Sequence, residues 1–465
     1  MKTDCKSMRH EFQEIHSRRV TVSFDGGRIS SDAGGVLLRE TDNRFRIIDQ
    51  ASACFTDHRH PDRIEHTVKE LVGQRIFGLA LGYEDLNDHD ELRSDSLLAA
   101  LVGKADLTGQ NRRKSIDKGK PLAGKSTLNR LELPLNNIQD LRYKKIESDF
   151  GKIENLFVDL FIQMQQSVPK HLVLDLDATD DPLHGKQEGR FFNSYYRSYC
   201  YLPLYIFCGH RLLCAKLRSC NMDACEGTVN ELQRIVTLLR RAWPKVKLTI
   251  RADSGFCRER IMNFCEQNHI DYVLGLAKNN RLLAEITEDL KQAKQTYMDT
   301  KAPARVFKDI EYKTRHSWSR SRRVVAKAEY LNKGANPRFI VTSESKDAID
   351  AKILYEDHYC PRGDMENRIK EQQLCLFADR TSTQLMKSNQ LRLWFSSLAY
   401  VLIDAMRTTA LEGTKLAQAQ CDTIRLKLFK IGALIKITVR RVWISMSSGY
   451  AYKDIFGYVA ERLKT

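Results

Sequence analysis

The stretch that most constrains this chain runs from His171 to Gly185, HLVLDLDATDDPLHG. Its period-two alternation predicts a strand with Leu172, Leu174 and Leu176 on one face and Val173, Asp175 and Asp177 on the other. Asp180, Asp181, Pro182 and Gly185 then signal a turn. Two carboxylates on one face of an apolar strand are costly to bury without a partner. A divalent cation is one such partner, because hard metals take oxygen ligands. A solvated strand end is the other reading, and this stretch alone leaves both open.

Length and charge narrow the class. The 465 residues leave room for two or three domains. A hydrophobic share of 42% with 29% charged residues describes an ordered globular chain. The formal net charge of +16 calls for a polyanionic partner, nucleic acid first. No apolar run reaches about eighteen residues, so no membrane partner is expected. The opening MKTDCKSMRHEFQEIH is not a signal peptide. The 12 cysteines are scattered without a CxxC pair, as reduced thiols in a cytoplasmic protein would be. Cys54, His58, His60 and His66 approach a metal-ligand cluster, but no second Cys/His pair matches them at zinc-finger spacing. A surface loop is expected there.

Residues 1–165 read as an N-terminal DNA-binding region. A short strand is expected at Val20–Phe24, then a helix over 34–48 capped by Asp32, and helices near 64–82, 90–103 and 126–133. The loop Gln110–Lys120, QNRRKSIDKGK, is basic and suits a DNA backbone. Gly119–Ser126, GKPLAGKS, satisfies the phosphate-loop pattern. That motif needs a buried strand before it, which NRRKSID cannot form. Ser126 or Thr127 capping a short helix explains the residues, and no nucleotide cofactor is expected.

Residues 166–380 alternate strands and helices in a mixed α/β order. Tyr201–Gly209 and Arg211–Cys220 read as an antiparallel hairpin. Helices near 224–242, 257–268 and 280–296 interleave with strands at Lys247–Asp253 and Asp271–Ala277. Three β-type runs fill 303–345. The basic piece Arg315–Arg323 includes Trp318, either a base-stacking tip or a solvated hairpin end. Residues 381–465 form a basic C-terminal region for DNA contact or dimerisation. Its apolar helix LRLWFSSLAYVLIDAMRTTAL precedes a strand carrying Ile435, Ile437 and Val439.

Three acids stand at element ends. Asp177 closes the first strand, Asp253 closes KLTIRAD, and Glu366 lies in YCPRGDMENRIKEQQ. In open α/β sheets such carboxyl edges are where sites form. At helical spacing Tyr359, Arg362, Glu366, Lys370 and Gln373 share a face. An acid flanked by Arg and Lys suits a site that holds both a metal and a phosphodiester. Ordinary surface ion pairs on a helix are the alternative.

The blocks LDLDATDDPLHGKQEGRFFNSYY, YCYLPLYIFCG, IRADSGFCRE and RGDMENRIKEQQLCLFADRTS resemble the DDE transposases of bacterial insertion sequences. More narrowly, they resemble the group 1 DDE-domain set, insertion-sequence family thirteen-eighty. The resemblance implies a ribonuclease H-like mixed sheet flanked by helices, with a β-rich insertion at about 303–345 and a mostly helical N-terminal domain. It implies Asp177, Asp253 and Glu366 as the catalytic triad holding two Mg2+ ions, Mn2+ substituting, with Asp175 the rival for the first place. Tyr359 and Arg362 match the wider group's signature, and Gln373 stands where its lysine falls, leaving Lys370 to substitute. With Arg368, these residues would contact DNA phosphates. The partners implied are duplex DNA, as terminal inverted repeats and target, and a second copy of the chain in a nucleoid-associated bacterial homodimer. A metal-dependent nuclease without strand transfer and a non-catalytic DNA-binding derivative are the alternatives.

Overall fold

The computed structural model describes residues 9–133 and 145–464. In it Leu172, Leu174 and Leu176 are all buried, as their alternation demands. They lie on β1 (His171–Ala178), flanked by an antiparallel hairpin of β2 (Leu204–Cys208) and β3 (Arg211–Lys216). On its other side β1 pairs in parallel with β4 (Lys247–Ala252), which pairs in parallel with β5 (Asp271–Leu276). Leu232, Ile235 and Leu239 of helix Thr228–Ala242 pack into the core of these strands, as do Ile261 and Met262 of helix Glu259–Gln267.

The expected β-rich insertion joins this sheet. β6 (Ala304–Tyr312), β7 (Arg322–Leu331) and β8 (Arg338–Thr342) give the order β3-β2-β1-β4-β5-β8-β7-β6. Edge strands expose unpaired backbone groups, and pairing β8 with β5 extends the ladder while burying Val325, Val341 and Ile340. Trp318 corrects the base-stacking expectation. It is buried, edge-on to Tyr312 at 5.7 Å, with the Arg322 guanidinium 5.4 Å from its ring. Arg322 in turn pairs with Glu259 and Glu266, each at 2.7 Å. A large aromatic gains more from core area than from a solvated tip.

The chain forms two compact units, Ser148–Asp404 and Met1–Glu147 with Ala405–Thr465. Most of the basic C-terminal region clusters with the N-terminal one. There Ala433–Ile437 pairs with Ile29–Ser30 and with Val442–Met446. The strand expected at Val20–Phe24 is Arg18–Ser23, in a hairpin with Arg9–Ile15.

Asp32 does not cap the following helix. That helix, Gly35–Phe45, starts after Gly34 without a side-chain cap. A Cβ at Gly34 would lie 1.6 Å from the Leu428 carbonyl oxygen, so only glycine admits this close approach of the 428–431 backbone. Asp32 turns inward, accepting from the Tyr83 hydroxyl at 2.6 Å and pairing with Lys430 at 2.7 Å.

Helix Val68–Leu81 opens with a Thr67–Glu70 capping box. The next expected helix is split into Asp88–Leu92 and Ser96–Leu101, the second capped by Asp95. Helix Lys125–Glu132 begins at Gly124, its Lys125 amide donating to Asp90 at 3.0 Å, so neither Ser126 nor Thr127 caps it. Before the phosphate-loop look-alike the chain makes a single 3-10 turn, Ser115–Asp117. Among the described residues no helix is long and apolar enough to cross a membrane.

Burial pushes the Asp42 carboxyl up to about 6, although it accepts from the Ile48 amide at 2.8 Å. A raised acid adds stability below its unfolded value of 3.8, and that stability is lost as pH rises through about 6. Asp42→Asn should therefore raise the melting temperature by roughly 2–4 °C per kcal/mol recovered at neutral pH. Melting curves of both proteins should converge near the unfolded value; a constant gap across the range would refute the titration.

Candidate active site

The carboxyl ends of β1, β4 and β5 share one sheet edge. Ala252 stands opposite Leu176 on one side and Leu274 on the other. Asp253, the next residue, is thus level with Asp177 and Gly275. The first two sequence-predicted acids are side by side because two parallel strands end in register.

Asp175 and Asp177 differ in the partners that the same ladder gives them. Arg251 is the register partner of Asp175. Its guanidinium grips that carboxylate through two of its three nitrogens, at 2.5 and 2.8 Å, and the third donates to the His358 carbonyl at 2.6 Å. The partner that buried Asp175 requires is an arginine on the next strand. Among the described residues the Asp177 carboxylate has a hydrogen bond from its neighbour's amide, Ala178, and a longer contact with Arg362.

The third acid arrives on an irregular helical segment. Asp350 caps it, accepting from the Lys352 amide at 2.8 Å. A π-helical turn at Leu354–Tyr359, a 3-10 turn containing Pro361, the α-helix Gly363–Lys370 and a second π-turn at Glu371–Cys375 follow. Such turns are frequent at functional sites because they shift side chains off the regular helical positions. Met365 and Ile369 are buried and hold the α-helix down.

Tyr359 is set by Gly275. A Cβ there would lie 2.6 Å from the Tyr359 hydroxyl oxygen and 2.9 Å from the Ser254 nitrogen. Arg362 bridges two acids, 3.4 Å from Asp177 and 3.3 Å from Glu366. Gln373, at the position where a lysine was expected, donates to the Asp180 carbonyl at 3.0 Å and ties the segment to the turn after β1. Arg368 is committed to Glu371 at 3.1 Å, so its charge is balanced on its own helix. Lys370 is exposed and makes no ion pair among the described residues.

Electrostatics join these groups into one site. Burial pushes Asp177 up to about 6; Arg362 pulls it down, and the charges of Asp253 and Glu366 push it up again. Burial likewise opposes the Arg362 charge, but Asp177, Tyr359, Asp253 and Glu366 hold its pKa above the ordinary value. Hard carboxylate oxygens that repel one another are the donor set a divalent ion suits. Yet among the described residues no three acidic, His or Cys side chains converge on a metal-sized gap, and Arg362 stands between Asp177 and Glu366. The Cys54–His66 stretch is not the surface loop expected: Cys54 and His66 are buried, and Phe55–Asp57 forms a strand paired with Ile146–Ser148.

Sequence reasoning passed over Arg251 and Gly275. Arg251 lies two residues before Asp253, hence on the same strand face, and opposite-sign residues on neighbouring strands were the available signal. Gly275, inside the strand DYVLGLA, marked a close approach.

A mixed α/β sheet with acids at its carboxyl edge defines the class. The chain belongs to the family described as transposase DDE domain group 1, whose profile matches residues 12–465. No curated protein sequence matches it. Among solved structures it is similar to the chain in a cryo-EM structure of the piggyBac transposase synaptic complex with hairpin DNA. Identity is 13%, coverage 94% of this chain and 82% of that one, and the TM-score 0.43.

Two predictions separate positioning from chemistry. Asp175→Asn leaves Arg251 buried against a neutral group and should lose about 3 kcal/mol or more in chemical denaturation. Asp177→Asn removes a charge that burial and neighbouring acids oppose, and should hold or raise stability; equal losses would make both acids structural. Gly275→Ala should cost about 1–3 kcal/mol through overpacking, with Tyr359→Phe in the same chain restoring part of it. No recovery in the double variant would place the clash on the backbone instead.

Proposed function

We propose that this chain is a cut-and-paste DDE transposase that cleaves DNA at the ends of an insertion-sequence element and joins the freed 3′-hydroxyl to target DNA. The observation that carries this reading is the meeting of Asp177, Asp253, Glu366 and Arg362 at one sheet edge in a chain of this family. The order β3-β2-β1-β4-β5, with β1, β4 and β5 parallel, supports a ribonuclease H-like core.

Asp177, Asp253 and Glu366 would hold divalent ions, Mg2+ or Mn2+, two per site. Bound there, such ions supply activation of a nucleophile and stabilisation of a leaving oxygen. The rest falls to the chain. Arg362 presents a planar fork suited to the oxygens of a phosphodiester, and in gripping one it releases Glu366. Tyr359, wedged over Gly275, holds the Asp253 turn in place. Lys370 offers a free cation one turn beyond Glu366 for the adjacent backbone. Joining two ends in one event calls for two protomers on the DNA.

The test is strand transfer from a duplex carrying the element's pre-cut end into a supercoiled plasmid, with Mg2+, for wild type and Asp253→Asn. Wild type should join and the variant should bind without joining. Cleavage without joining would make the protein a nuclease, and identical binding with no chemistry in either protein would make the acids structural.

A further inference from the structure

A second cluster of charge lies in the unit formed by the N- and C-terminal residues. A cleft of about 340 Å³ is lined by Arg59, His60, Arg63, Thr127, Arg130 and Lys145. Among the described residues no acid and no Phe, Tyr or Trp lines it. Local structure explains the convergence. The 3-10 turn Pro61–Arg63 sets Arg63 beside His60. Lys145 is brought to that turn by its carbonyl, which accepts from the His58 amide at 2.7 Å. On helix Lys125–Glu132, Leu128 and Leu131 are buried, so Thr127 and Arg130, three residues apart, share an outward face.

Part of the charge here is committed and part is not. Arg59 is neutralised by Asp57 through two contacts, at 2.8 and 2.7 Å. His60 stands 3.6 Å from the exposed Asp62. Arg63, Arg130 and Lys145 pair with no described acid. By contrast the basic loop Gln110–Lys120 spends its Arg112 inward, on Glu65, Asp117 and two backbone carbonyls. Three free cations and a hydroxyl around a cavity larger than one phosphate, without an aromatic platform, suit a sugar-phosphate backbone more than a base.

We propose that this cleft binds the phosphodiester backbone of duplex DNA, independently of sequence. The proposal rests on the transposase reading and adds to it a contact on residues other than those of the candidate active site. It is tested with the full chain by fluorescence anisotropy, without metal, on an element-end duplex and a scrambled duplex. The proteins are wild type, Arg63→Gln/Arg130→Gln, and the loop double Lys114→Gln/Lys118→Gln as a control for lost charge.

The cleft double should bind both duplexes more weakly by the same factor, with an unchanged melting temperature. Wild type should lose about tenfold more affinity than the cleft double between about 50 and about 200 mM salt, as two phosphate contacts at a slope of about 0.9 each require. The loop double should keep the wild-type slope. Equal salt slopes for wild type and the cleft double, or equal losses in the two doubles, would overturn the cleft while leaving the transposase reading intact. No DNA binding by wild type would overturn both. Titration with inorganic phosphate is the remaining arm: saturable binding that the cleft double abolishes, without a change in DNA affinity, would assign the cleft to a free phosphate instead.

Discussion

The Asp175–Arg251 pair is the interaction on which the candidate site depends. Both groups are largely buried, where either alone would be strongly destabilising. Together they join β1 to β4 in a register that two apolar strands could otherwise slip. A one-residue slip would turn Asp177 into the leucine core and bring Leu176 to the edge. The same guanidinium holds the His358 carbonyl, so it also sets where the glutamate-bearing segment begins. One arginine thereby locates all three acids without touching any of them.

That segment is anchored at both ends and irregular between. Arg323 binds the carbonyls of Ser345 and Ile349 just ahead of it, and Gln373 binds the Asp180 carbonyl near its end. Two π-turns and Pro361 then decide the phase of Tyr359, Arg362 and Glu366. In a regular helix, residues 359, 362 and 366 would fall on one stripe. Here Tyr359 sits over β5 and Arg362 over β1, which spreads the segment's contacts across three strand ends. The irregularity is what lets one helix address a sheet edge three strands wide.

The strands and helices of the central sheet were legible because alternation and turn residues report burial directly. The positions of Asp177 and Asp253 were legible because each stands at a strand end, whereas Glu366 lies inside the helix Gly363–Lys370. Arg251 was not legible, since an arginine inside an apolar strand reads as a flaw in the pattern until the neighbouring strand is known. Gly275 was hidden likewise, because its meaning lies in Tyr359, eighty-four residues on. The joining of 303–345 to the main sheet and of the C-terminal residues to the N-terminal unit were set by long-range pairing, on which local periodicity is silent. Trp318 misled for a related reason: its basic neighbours are paired with Glu259 and Glu266, acids far away in sequence.

The same lesson governs how the +16 charge should be read. A basic residue recruits a polyanion only if its charge is not already balanced, and sequence does not show that balance. Arg75 is buried against Glu132, Arg322 against two glutamates and Arg323 against Asp309. None of these guanidiniums is available to DNA, although each counts toward the net charge. Arg362 is an intermediate case: it is paired, but with acids it only loosely reaches, and burial opposes its charge less than those acids favour it. A phosphate arriving beside Arg362 meets a donor that can exchange partners at small cost, whereas one arriving at Arg322 would have to break a closed network. Charge that can be transferred, more than charge that is merely present, marks where a nucleic acid can be gripped.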